Sequence, residues 1–169
     1  MRGMPKTFRL NLAFALLVML SFTSVYIVSA EQNKASGILD GMVFIGQMGV
    51  SGEAAYDDKL SFANGQFWSE ICIRCGFKPG KYWTRTEADG IHFRGELQGG
   101  FGEFVYEGRI IDGQAIVEVI WKKQRWYWTS GRTLAFEGST IAGQSPYPAN
   151  EAVQISIKAL QGDLPDFCW

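Results

Sequence analysis

Turn-forming dipeptides between alternating segments constrain the fold of this chain more than any other feature. Asn64-Gly65, Asp89-Gly90 and Asp112-Gly113 each separate two segments in which apolar and polar residues alternate. Glycine adopts the positive φ of two-residue hairpin turns without steric cost, so we expect positive φ at the glycine of each pair. The pattern predicts consecutive antiparallel hairpins. The predicted strands are 42–49, 58–63, 66–74, 81–88, 91–98, 103–111, 114–122, 125–136 and 152–159.

The predicted strands between residues 91 and 122 have one apolar face and one charged face. The apolar face carries Phe93, Leu97, Phe104, Tyr106, Val117, Val119 and Trp121. The opposite face carries His92, Arg94, Glu96, Glu107, Arg109 and Glu118. Burying unpaired charges is costly, so the apolar set should face inward. Successive hairpins remove their free edges by closing the sheet. We therefore predict an all-β fold, a single antiparallel up-and-down β-barrel of about eight strands with few, short helices.

Residues 1–30 have the composition of a signal peptide. Three cations precede an apolar stretch, and small residues end at Ala30, where a signal peptidase would cut. We expect an exported protein, periplasmic or secreted, in which residues 31–169 form a single β-barrel domain with a C-terminal tail. The alternative is an uncleaved membrane anchor, because Leu10 to Val28 is nearly long enough to span a bilayer.

The charge balance argues against nucleic acid as a partner. The whole chain has a formal net charge of -1, and residues 31–169 have 13 Lys+Arg against 17 Asp+Glu. Binding to nucleic acid requires a basic surface that offsets phosphates. Lys122, Lys123 and Arg125 form a small basic cluster, which we interpret as a solvated hairpin tip. Membrane contact is expected only through an uncleaved N-terminal segment.

No motif of a known enzyme class occurs in the sequence. G-x-S-x-G, the phosphate-binding P-loop and H-E-x-x-H are all absent, and His92 is the single histidine. A lone histidine on the charged side of a strand is most simply a solvated residue. We therefore expect no enzymatic activity, no catalytic residues, no metal site and no cofactor.

Three cysteines indicate one disulfide. Residues i and i+3 of a strand point to opposite faces, so we expect that Cys72 and Cys75, at the end of the predicted strand 66–74, do not bridge each other. In an oxidising compartment a bridge to Cys168 is then expected, which ties the tail to the barrel. The pairing Cys75–Cys168 is favoured over Cys72–Cys168, and the remaining thiol stays unpaired.

The aromatic residues allow two interpretations. Six Trp residues, all in residues 31–169, are accompanied there by fourteen Phe and Tyr residues. They can fill the core, since aromatic side chains bring the largest apolar area per residue. They can also line a cup for a small apolar molecule. For such a cup the candidate binding residues are Phe93, Tyr106, Trp121 and Trp128.

Segments of the first half of the chain resemble small exported barrels of the lipocalin and calycin type. They are Asp40-Gly41-x-x-Phe44 and Asn64-Gly65-x-Phe67-x-Ser69-x-x-Cys72-x-x-x-Gly76-Phe77, followed by Tyr82. The resemblance is topological and covers about residues 38–140; Gly41-Met42-Val43 stands where lipocalins have Gly-x-Trp. It implies an eight-stranded barrel that can hold a small hydrophobic ligand, and it carries over no catalytic residues.

Two functions therefore remain open. The first is an exported, non-catalytic barrel that binds a small hydrophobic ligand. The second is a periplasmic or secreted interaction protein, such as an enzyme inhibitor, which acts through its loops with a solid barrel core. A cavity at one barrel end, lined by Phe93, Tyr106 and Trp121, would favour the first. A filled barrel with an exposed loop would favour the second.

Overall fold

A computed structural model describes residues 37–50, 53 and 55–168 of the chain. These residues fall within one compact unit, Lys34–Trp169. The predicted signal peptide and its cleavage site near Ala30 lie outside the described residues.

Eight antiparallel strands form a closed barrel. They are β1 (Val43–Gly49), β2 (Tyr56–Ala63), β3 (Gln66–Ser69), β4 (Gly80–Glu87), β5 (Gly90–Gly99), β6 (Gly102–Ile111), β7 (Gln114–Arg125) and β8 (Trp128–Thr140). Each strand pairs with the next, and β1 pairs with β8 to close the sheet. The predicted all-β, up-and-down barrel of about eight strands is confirmed. Among the described residues, two helices accompany it, α1 (Glu70–Arg74) and α2 (Ala149–Ala159).

All three glycines have the predicted positive φ, and two of the three turns lie where the sequence predicted them. Asn64-Gly65 has φ values of 53° and 69°, and Asp112-Gly113 has 49° and 77°, the two positive values of a type I′ turn. Gly90 also has a positive φ, 130°. There the two-residue turn is 88–89, one position earlier than predicted, because Glu87 pairs directly with Gly90.

The predicted strand 66–74 is wrong in its second half. The strand ends at Ser69, whose Oγ accepts a hydrogen bond from the Cys72 backbone N–H at 3.1 Å. This N-cap starts α1, and Glu70 lies in the first turn, where a negative charge is favourable.

The predicted strand 152–159 is also wrong, since it lies within α2. Val153, Ile155 and Ile157 alternate as in a strand. The buried residues of this segment are instead Ala149, Ala152 and Ser156, which have the three- and four-residue spacing of a helix face.

Aromatic side chains fill the barrel interior. The predicted inward set is buried, except that Trp121 is only partly buried. The Phe62 ring lies 5.0–5.9 Å, between centroids, from four other rings; they are Phe44, Phe67, Tyr82 and Phe93. The Phe67 ring also packs directly on β5, where a Cβ atom at Gly95 would lie 2.2 Å from it. The rings therefore contact one another across the barrel.

A disulfide joins Cys75, at the end of α1, to Cys168. The favoured pairing is confirmed, and Cys72 is buried and unpaired. The geometric reason for the pairing was wrong, however, because Cys72 lies in a helix rather than a strand. The disulfide holds the C-terminal segment against the barrel, and the Phe167 ring lies 6.0 Å from the Tyr56 ring.

Candidate functional site

The hairpin of β7 and β8 extends beyond the barrel wall. Pairing between β6 and β7 ends at Lys122, and pairing between β1 and β8 ends at Ala135. Residues 123–130, which we call the hairpin arm, therefore pair only with each other. At about 3.3 Å per residue, the three residues of β7 in the arm reach about 10 Å past the last β6 partner.

The turn of the arm is Trp126-Tyr127, because Arg125 pairs with Trp128. The sequence predicted this turn at residues 123–124. Neither the predicted nor the observed turn contains a glycine. Each of the four other two-residue hairpin turns between described strands has a glycine in the turn or directly after it. Trp and Tyr are uncommon in such turns. A turn that lacks the usual turn-forming residues is a candidate functional position.

The aromatic side chains of the arm are exposed. Trp126 is 93% exposed, Tyr127 62% and Trp128 46%. The Tyr127 ring centroid lies 4.8 Å from that of Trp126 and 6.2 Å from that of Trp128. The three rings thus form one continuous aromatic surface at the end of the arm.

Basic residues are concentrated in the sequence on either side of these rings. Between Glu118 and Glu137 the chain carries no acidic residue and four basic ones, which we call the basic set: Lys122, Lys123, Arg125 and Arg132. The Arg125 guanidinium carbon lies 5.5 Å from the Trp128 ring centroid, and the Lys123 Nζ lies 5.4 Å from that of Phe101. Both are cation–π distances.

Trp121 supports the base of the arm. Its Nε1 donates a hydrogen bond to the Phe101 carbonyl oxygen at 3.2 Å, and its ring packs against the barrel core. This contact ties the turn between β5 and β6 to the strand from which the arm extends. The arm therefore has a fixed base.

The four residues predicted to line a ligand cup lie in three places. Phe93 and Tyr106 are buried in the core, where the Phe67 ring lies 6.4 Å from the first and 5.2 Å from the second. Trp121 lies at the base of the arm, and Trp128 is on the arm itself. The structure brings Phe93 and Tyr106 together and places the two Trp residues apart from them. Their role in ligand binding stays a prediction.

A chain of buried polar groups crosses from β2 to β6. The Asp58 carboxylate accepts hydrogen bonds from the Ser69 hydroxyl at 2.8 Å and from the Ile71 backbone N–H at 3.0 Å. The Cys72 Sγ lies 3.1 Å from the Tyr106 hydroxyl, which also donates to a methionine sulfur. These bonds fix α1 against the barrel interior.

Burial is the largest influence on the pKa values of Asp58 and Cys72. It raises the pKa of Asp58 from 3.8 to about 6, although hydrogen bonds from Ile71, Ser69 and Lys59 act in the opposite direction. Burial likewise raises the pKa of the Cys72 thiol to about 12. A thiol with so high a pKa carries little thiolate and is a poor nucleophile.

One group of described residues could offer ligands to a metal ion. Glu87, Asp89 and His92 place their ligand atoms within 4.8 Å of one another at the hairpin of β4 and β5. Arg85 pairs with Glu87, and Arg109 lies 3.4 Å from the Asp89 carboxylate. The hydrogen bond from His92 lowers the pKa of Asp89. The group is thus an exposed ion-pair cluster whose carboxylates already face cations.

Comparison of the chain with known protein families, curated proteins and solved structures gives no match. The likeness to lipocalins therefore rests on barrel topology. Among the described residues, no helix is long and apolar enough to cross a membrane.

Trp126 and Tyr127, the turn residues of the arm, were not among the binding residues proposed from sequence, although Trp128 was. The signal was present, since Trp126-Tyr127 follows three basic residues and contains none of the usual turn formers. The alternation of β7 was predicted to end at residue 122, and this moved the turn toward the barrel. The two Trp residues were consequently treated as flanking the turn.

Proposed function

We propose that this chain is an exported, non-catalytic β-barrel protein that binds a partner through its hairpin arm. The observation that supports this most directly is the exposure of three adjacent aromatic rings on a hairpin beyond the barrel wall. Continuous exposed apolar surface on a soluble protein marks a site of interaction. Trp, Tyr and Arg are also the residues most enriched at binding hot spots.

The barrel interior supports this function more than storage of a small hydrophobic ligand. Phe93 and Tyr106 contact other rings, and the Tyr106 hydroxyl is already bonded to sulfur atoms. A ligand between them would have to separate packed side chains. An enzyme inhibitor that acts through this arm is one form of the proposed function.

Export is part of the proposal. The pattern of residues 1–30 supports it, and so does the Cys75–Cys168 disulfide, since disulfides persist mainly in oxidising compartments. The absence of enzyme motifs from the sequence supports a role without catalysis.

Site-specific photocrosslinking in the cells that make the protein tests the proposed function. A benzoylphenylalanine is placed at Tyr127 and, as a matched control, at Ile116, which is 49% exposed on the barrel part of β7. We expect a discrete adduct, with protein or with lipid, at position 127 and none at 116. Equal labelling at both positions, or none at either, would overturn the proposal.

An apolar dye whose fluorescence depends on its environment tests the alternative ligand function. With the rings packed as observed, we expect no saturable binding to the folded protein. Saturable binding that is weakened by Phe93→Ala, and not by Trp126→Ser, would instead place a ligand inside the barrel. Circular dichroism of both variants shows whether they remain folded.

A further inference from the structure

Residues 122–132, which are the arm and the strand residues next to it, carry charge of the opposite sign to the rest of residues 31–169. The basic set accounts for four of the 13 Lys+Arg in that range, and nine remain against 17 Asp+Glu elsewhere. The arm is therefore a basic projection from an acidic protein. A partner that presents negative charge would be attracted to the arm and repelled by the barrel.

We infer that the hairpin arm binds the surface of a membrane that contains anionic lipid. This inference rests on the proposed function and names the partner of the same site. The rings of Trp126 and Tyr127 would enter the interfacial layer, and the basic set would face the lipid phosphates.

The residue types at the tip fit a lipid–water interface. Trp and Tyr concentrate at that interface because their rings are apolar on one side and carry a polar N–H or O–H on the other. Trp126, at the apex, is the most exposed large apolar side chain among the described residues. Each basic residue near an anionic surface strengthens binding by about fivefold.

The shape of the arm favours a membrane over single-stranded nucleic acid. Proteins that bind single strands without sequence preference combine a positively charged groove with stacked aromatics along the backbone path. Here the cations and rings are gathered on one narrow hairpin. A strand that continued past the arm would meet the acidic barrel. A membrane surface needs contact only at the tip.

Vesicle binding by the processed protein, purified from the exported fraction, tests the inference. Sedimentation with phosphatidylcholine vesicles is compared with sedimentation with vesicles that also contain phosphatidylglycerol. We expect binding only to the mixed vesicles, and weakening by added salt. Brominated lipid should quench the Trp fluorescence, and this quenching should fall in the variant Trp126→Ser. All variants are purified in the same processed form, so differences between them do not come from residues 1–30.

Matched variants separate the arm from general surface charge. Lys122→Gln/Lys123→Gln/Arg125→Gln should weaken binding to mixed vesicles more than about tenfold. The control Lys59→Gln/Lys81→Gln/Lys158→Gln removes three exposed lysines elsewhere and should change it less than about twofold. Equal losses in the two variants, or no preference for anionic lipid, would overturn the inference.

Failure of this inference and failure of the proposed function give different results. A protein adduct at position 127 without vesicle binding would leave the arm as an interaction site and reject lipid as its partner. Tighter binding to a single-stranded oligonucleotide than to mixed vesicles would also reject lipid. Absence of both adduct and vesicle binding would reject the proposed function as well.

Discussion

The Asp58 carboxyl group is buried and accepts several hydrogen bonds. Three donors on β2, β3 and α1 converge on it, and they offset only part of the cost of removing its charge from water. In the folded protein its pKa is therefore raised, from 3.8 to about 6.

The raised pKa of Asp58 predicts a pH dependence of stability. The folded state favours the protonated acid, so the contribution of Asp58 to stability is greatest below about pH 4. It falls as the pH rises through about 6, by about 3 kcal/mol in total. Denaturant unfolding between about pH 4 and about pH 8, which spans both pKa values, measures this effect in the natural protein and in Asp58→Asn. The difference between the two profiles should change across this window, and parallel profiles would contradict the assignment.

Gly90 occupies a backbone position that other residues adopt only with strain. Its φ is 130°, and a Cβ atom there would lie 2.4 Å from the Ile110 carbonyl oxygen. We expect Gly90→Val to lower the free energy of unfolding by more than about 1 kcal/mol. Gly100→Val is the matched control, because no atom lies within 4 Å of a Cβ at Gly100. Equal losses in the two variants, measured by urea unfolding, would contradict this account.

At the scale of the elements, the disulfide connects α1 to a segment 93 residues later in the chain. Loop-closure entropy predicts that Cys75→Ser/Cys168→Ser costs about 4.6 kcal/mol of stability. Cys72→Ala is the control, since it removes a thiol and leaves the disulfide intact, and it should cost clearly less. Urea unfolding of the three proteins measures both effects. A larger loss in the control would show that the buried thiol matters more than the crosslink.

The strand predictions were correct where the alternation of apolar and polar residues agreed with the turn-forming residues. Asn64-Gly65 and Asp112-Gly113 located two hairpins to the residue. The prediction failed for α1, because five residues are too few to show a helical period. It failed for α2 because β-branched residues happened to alternate there.

The length of the hairpin arm could not be predicted from the sequence either. Its strands continue past the last barrel partner, and alternation cannot report how far a ribbon extends without neighbours. Its turn lacks the residues that usually mark a turn. The disulfide Cys75–Cys168 was predicted correctly, but the argument that excluded a bridge between Cys72 and Cys75 assumed a strand. The structure has α1 there instead.

For the whole molecule, the prediction outside the described residues concerns processing. The order of charge, apolar stretch and small residues in 1–30 predicts a mature N-terminus at Glu31. N-terminal sequencing of the exported protein measures this directly. Exported material that still begins at Met1 would contradict cleavage and favour an anchor, which would hold the chain at a membrane without help from the arm.

The pairing of β1 with β8 also determines when the barrel can close during synthesis. Phe44 pairs with Thr140, so every residue between them must be synthesised before the sheet can close. Contacts between residues so far apart in sequence slow folding, because a long loop must be ordered before they form. Until then the growing sheet has two unpaired edges, which can pair with other chains. Completion of the barrel therefore waits for the ribosome to pass residue 140, and a nascent chain held unfolded until that point avoids premature pairing.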